Sequence, residues 1–176
     1  MGLGFADGFK SLSEEPLIHL PTVFWDIPAM REEALAVKSS AMRWETPDYT
    51  VSGCPVGDNT PQLSQAYYNF IELYDDCGEV SVSYLYIDKD SDYMWHTDNE
   101  ISKRTGHTEK DVKCAVNIVV LGEENCVEFE DWGEYRYTAA LFNTSHLHRI
   151  KPTSDRILCK ISFRDLYFSD VINKIF

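Results

Sequence analysis

His96-Thr97-Asp98, His148 and Arg156 are the residues of this 176-residue chain whose types and spacing could do chemistry. Two imidazoles and one carboxylate on a common face form the three-residue set that suits non-haem Fe(II). Such a set leaves about three coordination positions open, enough for a co-substrate and oxygen together. A His-x-Asp triplet alone is weak evidence, since five histidines and fifteen aspartates yield about 0.4 of them by chance. Position strengthens it. His96 and Asp98 fall at the end of a predicted strand, where a period of two points both side chains to the same side. His148 lies on a later predicted strand and Arg156 opens the next one. A guanidinium inside a barrel is costly unless it meets an anion, and its fork fits a carboxylate with two parallel bonds. A chelating dicarboxylate, one end on iron and the other on Arg156, would satisfy both groups.

The elements that must position these residues are mostly strands. From residue 79 onward the apolar period is two, and candidate strands fall at 80–87, 93–96, 113–121, 126–130, 134–137, 139–143, 147–151 and 156–163. Turn-forming clusters separate them, notably Asp88 to Asp92, Gly122 to Asn125, Asp131-Trp132-Gly133 and Pro152 to Asp155. Eight short strands so punctuated predict a barrel or two-sheet sandwich, in which the second and seventh strands can lie side by side. The longest interruption, 99–111, carries Lys103, Arg104, His107 and Lys110 and is expected to be a lid. Before residue 79 the reading is helical. Asp26 and Pro28 start a helix of roughly four turns reaching Met42, and a second is expected over 61–74. Between them, 46–60 reads as loop, with Pro47, Gly53, Pro55 and Gly57. A short apolar helix is expected over 166–176. The expected organisation is one domain over 1–176, with helical support in 1–78, an eight-stranded core in 79–165 and a C-terminal segment in 166–176.

Composition narrows the function. Hydrophobic residues make up 44% of the chain, enough for a core. A net charge of −13 argues against general nucleic-acid binding, which needs a basic face, and against docking on anionic membrane. No apolar run approaches the roughly eighteen residues of a membrane helix, and the N-terminus lacks the pattern of a signal peptide. Five cysteines with no CxxC predict reduced, mostly buried thiols and a cytoplasmic protein.

Trp95-His96-Thr97-Asp98, the run from Leu141 to Ile150 with its Asn143 and His148, and the run from Asp155 to Phe163 with Arg156 together resemble the Fe(II)/2-oxoglutarate-dependent oxygenases, in particular their compact hydroxylase branches. The resemblance spans roughly residues 80–163. It implies a mainly β fold with N-terminal helices, the double-stranded β-helix or jelly roll of cupin-like barrels. It also implies that His96, Asp98 and His148 bind Fe(II) and that Arg156 takes the far carboxylate of 2-oxoglutarate. Decarboxylation of that acid to succinate and CO2 by molecular oxygen would drive hydroxylation of a small-molecule or peptide substrate. The family often adds a further polar group to the carboxylate, for which Tyr84, Tyr86 and Asn117 are the candidates. Asn117 is the most suggestive, because it interrupts the apolar run from Cys114 to Val120. The family's serine or threonine two residues after the arginine is replaced here by Leu158. His146 shares a face with His148 and stands as a neighbour of the site, a substrate-facing group or a partly exposed one. Two other readings use the same residues: a cupin-like metal enzyme that needs no 2-oxo acid, and a non-catalytic β-barrel used for binding or assembly. For the former, the HxH of His146 and His148 lacks the glutamate and further histidine that such a motif expects downstream.

Overall fold

One face of the longest strands is apolar, the other mixes apolar residues with polar ones such as Asn117, Arg156 and Lys160, and both find a partner. In the computed structural model, which describes residues 14–45, 50–71, 77–91, 93–98, 112–122 and 125–175, ten strands form two antiparallel sheets. They are β1 (Leu17–His19), β2 (Met42–Glu45), β3 (Thr50–Pro55), β4 (Val80–Ile87), β5 (Cys114–Leu121), β6 (Asn125–Phe129), β7 (Gly133–Tyr137), β8 (Ala139–Phe142), β9 (His148–Ile150) and β10 (Arg156–Phe163). Seven make the large sheet, in the order β1-β8-β5-β10-β4-β3-β2, and three make the small one, β7-β6-β9.

The outer face of the large sheet is covered by helices α1 (Ile27–Val37), α2 (Pro61–Ile71) and α3 (Phe168–Ile175). Met30, Ala34, Leu63, Ala66, Phe168 and Val171 pack there against Tyr84, Tyr86, Val116, Ile118, Ile157, Cys159 and Ile161. The opposite parity of the same strands faces the small sheet. Val127, Phe129 and Tyr137 meet Ala140 and Phe142 in one inner cluster, and Ile87, Tyr93 and Leu158 form another. Covering a sheet on both sides is what turns alternating strands into continuous apolar runs.

Capping sets the helices. The Asp26 carboxylate accepts from the Ala29 N–H at 3.1 Å, and Pro28 sits in the first turn of α1. Glu33 on α1 is buried, and its carboxylate accepts from the backbone N–H groups of Gln62 (2.6 Å) and Leu63 (2.9 Å) at the start of α2 and from the Tyr84 hydroxyl (2.8 Å). One anion thus satisfies two donors that α2 leaves unpaired and ties both helices to β4.

Three expectations are corrected. The first helix ends at Val37, a 3-10 turn follows over Lys38–Ser40, and Met42 opens β2. The expected loop over 46–60 contains β3, which pairs with β2 on one side and β4 on the other. Sheet pairing there overrides the local glycine and proline signals, with Pro55 at the strand's last position. The expected strand over 93–96 is reduced to a single bridge between His96 and His148. The remaining seven predicted strands and α2 stand within a few residues of expectation, the last residues predicted for α2 lying outside the described residues, as does the expected lid over 99–111. All five cysteines are free thiols, Cys54 half-buried and the others buried. Among the described residues no helix is long and apolar enough to cross a membrane.

Candidate metal centre

His96 and His148 are held together by backbone: each N–H donates to the other's carbonyl at 2.9 Å. This reciprocal pair continues the small sheet by one residue beyond β9 and places both imidazoles on the inner face. Their ring centroids are 4.7 Å apart. Asp98, two residues on, faces the same way and is anchored by its N–H to the Thr144 carbonyl at 3.3 Å. Thr144 is itself fixed by a hydroxyl bond to the Val112 carbonyl at 3.0 Å. On the far side Trp95 stacks under the Arg149 guanidinium, 4.6 Å from its ring centre, and Arg149 is clamped by Glu128. The segment 93–98 is therefore gripped on both faces.

The ligand atoms converge. Asp98 Oδ1 lies 3.9 Å from His96 Nε2 and 3.8 Å from His148 Nε2, and the three donor atoms all fall within 4.8 Å of one another. All three side chains are buried. His96 Nδ1 meets the Met94 carbonyl and His148 Nδ1 meets the His146 carbonyl, each at 2.8 Å. A carbonyl can only accept, so Nδ1 carries the proton in both rings and the Nε2 lone pairs are directed at the shared space. Burial, opposed by Asp98, holds the His148 imidazole down to about 4, so it is neutral near pH 7. Burial pushes the Asp98 carboxyl up, but Lys160, His148 and His96 outweigh it and bring it to about 2. Two imidazoles that aim Nε2 at the shared space and one carboxylate on one side of a cavity are a donor set that fits Fe(II).

The triad opens on a cavity of about 80 Å³, lined mainly by apolar side chains such as Leu85, Ile87, Val127, Phe142 and Leu158. Its polar wall consists of Asn117, Thr144, Lys160, Tyr93 and Tyr137 beside the triad. Lys160 Nζ donates to Asp98 Oδ2 at 2.7 Å. Asn117 is its direct cross-strand neighbour, and the buried Asn117 Oδ1 has no hydrogen-bond partner among the described residues.

Arg156 opens β10 with the same parity as Leu158 and Lys160 and is 4% exposed. It is not part of the cavity wall; Tyr93 and Tyr137, which are, stand among its electrostatic neighbours. Burial lowers its affinity for a proton. Nη2 donates to the Lys151 carbonyl at 3.2 Å, whereas Nε and Nη1 have no partner among the described residues. Gly122 makes room for it. With φ at +109°, a Cβ there would sit 3.0 Å from Arg156 Cβ and 3.2 Å from the Asp155 carbonyl.

Tyr84 and Tyr86, like Arg156, are sequence candidates that do not line the cavity. Both tyrosines point to the helical side, where Tyr84 donates to Glu33 and Tyr86 donates to the Ala34 carbonyl at 2.6 Å. His146 lies outside the triad, near the rings of Trp132 (6.2 Å) and Phe129 (6.5 Å). Thr144 was missed from sequence, where a threonine in a turn carries no signal. Lys160 had one, its parity with Arg156.

No protein-family model and no curated protein sequence matches the chain. Solved structures do match. A prolyl-4-hydroxylase from Pseudomonas putida superposes with a TM-score of 0.58 at 11% identity, covering 87% of this chain and 94% of its own. A prolyl hydroxylase from Trichoplax adhaerens, in complex with a hypoxia inducible factor peptide fragment, gives 0.63 at 10% identity over 85% of this chain and 82% of its own. A 2OG-Fe(II) oxygenase family oxidoreductase from Burkholderia pseudomallei gives 0.51 at 16% identity over 87% and 86%. The chain has the double-stranded β-helix fold of these oxygenases. Within that fold His148 lies on the small sheet, His96 is bridged to it and Asp98 follows two residues on, while the large sheet carries Asn117, Arg156 and Lys160.

Proposed function

We propose that this protein is a Fe(II)- and 2-oxoglutarate-dependent dioxygenase that hydroxylates an unactivated C–H bond of a peptide side chain, amino acid or small metabolite. The observation that carries the reading is the convergence of three buried donors on one cavity, with a buried guanidinium on the facing sheet that keeps two unpaired donors. A buried cation with two unsatisfied donors is expensive, and an incoming carboxylate is the partner that would satisfy them. His96, Asp98 and His148 would hold Fe(II); Arg156, with Asn117, would hold 2-oxoglutarate. When bound, the iron and the acid supply the oxidant: one oxygen atom of O2 enters succinate as CO2 leaves, and the other enters the substrate. The chain's own part is to keep both imidazoles oriented and that of His148 neutral, to hold the carboxylate ionised, and to wall the centre with apolar side chains that keep water out. The peptide carried by the Trichoplax neighbour supports counting peptide side chains among the substrates.

The test is succinate formation from 2-oxoglutarate with Fe(II) and oxygen, screened over peptides and amino acids. His96→Ala or Asp98→Ala should remove it and weaken Mn(II) binding by roughly a hundredfold or more, since loss of even a supporting partner costs ten- to a hundredfold. Equal succinate production in the variants rejects the assignment. The position of Arg156 outside the cavity wall favours one second reading, a metal enzyme of this fold that uses no 2-oxo acid. Metal binding without any effect of 2-oxoglutarate on the melting temperature would select it.

A further inference from the structure

Among the described residues, Lys160 is a cation held directly against the three ligands, and it is already engaged. Its ammonium binds Asp98 Oδ2 at 2.7 Å, while Oδ1 of the same carboxylate faces His96 and His148 at 3.9 and 3.8 Å. One carboxylate is thus divided: one oxygen is committed to a lysine on the large sheet and the other is presented to the imidazoles of the small sheet. Lys160 reaches it from the middle of β10, where its neighbours Cys159 and Ile161 are fully buried on the other face, so the backbone beneath it is fixed.

We propose that Lys160 is a positioning residue for the metal centre, one that restricts Asp98 to a single-oxygen ligand and weakens the site's hold on a divalent ion. This rests on the proposed metal-centre reading. A free aspartate can give both oxygens to a metal. Bidentate ligation would use one of the open positions that a chelating acid needs. Holding Oδ2 by a charge-assisted hydrogen bond keeps that position open. The ammonium also repels a dication a few ångströms away, so metal is bound less tightly than the bare donor set would bind it.

Metal binding separates this role from a plain ion pair. Mn(II) affinity is measured by calorimetry on the wild type, Lys160→Met and Lys160→Gln, and coordination number is read from the visible absorption of Co(II)-loaded protein. Lys160→Met should tighten Mn(II) by roughly tenfold, the effect of removing a nearby like charge, and change the Co(II) spectrum as Asp98 adds its second oxygen. Lys160→Gln should also tighten Mn(II) but keep the wild-type Co(II) spectrum, because the amide still donates to Oδ2. Should the methionine variant lose its circular dichroism, the glutamine variant decides the matter alone. Unchanged or weakened Mn(II) binding in a folded variant overturns the inference, as does a Co(II) spectrum identical in all three proteins. If the wild type takes up neither ion, the metal-centre reading itself fails, which is a distinct result.

Discussion

Arg156 carries a stability cost. Two of its donors are buried without a partner, and burial disfavours its charge. Replacing a buried, poorly paired ion with an apolar side chain of similar length is often neutral or stabilising. Arg156→Met should therefore raise metal-free stability by about 1–3 kcal/mol in urea unfolding while weakening 2-oxoglutarate binding by roughly a hundredfold and leaving Mn(II) affinity unchanged. A destabilised variant with intact acid binding would remove Arg156 from the site. His148 sets the pH response. Its folded value of about 4 lies below its ordinary 6.5, so between these the unfolded chain binds a proton that the folded chain refuses. Stability is full above about 6.5 and falls as the pH drops toward 4. Asp98, lowered from 3.8 to about 2, adds a second loss further down, as the pH falls through 2. Metal-free protein should lose about 1–3 kcal/mol across the upper window, and His148→Gln, which has no proton to gain there, should flatten that part of the profile.

Among the elements, what was legible in the sequence follows from which signals are local. The seven strands read within a few residues of their places carry period-two patterns between clear turns. The Asp26 cap and the triad's order were equally visible. What escaped depended on pairing. β2 and β3 exist because β4 offers them an edge, and nothing within 46–60 reports that. Tyr84 and Tyr86 fell on the helical side because alternation along β4 shows that they share a face but not which side of the sheet that face meets. Asn117 stood out for the opposite reason, a polar residue in an apolar run that proves to line the cavity. Glu33 is the other element-scale feature. Glu33→Ala strips an acceptor from two helix N–H groups and the Tyr84 hydroxyl at once, and should destabilise the fold by about 3 kcal/mol. Tyr84→Phe, which leaves both helix donors capped, should cost about 1 kcal/mol by the same urea measurement.

For the molecule as a whole, charge and site oppose each other. The chain carries a net charge of −13, yet Lys160 lies in the cavity wall and Arg156 close by. On the proposed function, a dianionic co-substrate would approach a negatively charged chain before it meets those cations. Salt screens the field more than it screens buried contacts. The association rate of 2-oxoglutarate with Mn(II)-loaded protein, followed by stopped flow, should rise about two- to fivefold between 10 and 200 mM salt. A rate that falls with salt would show that the entrance is basic despite the overall balance.

The reciprocal bond between His96 and His148 reaches beyond coordination. The backbone alone fastens that stretch to the small sheet by a single stitch, so an ion gripping both imidazoles would act as a rivet through the same two positions. Amide exchange at His96 and His148 should therefore slow sharply when the ion is present, a signature of occupancy that requires no substrate and no turnover.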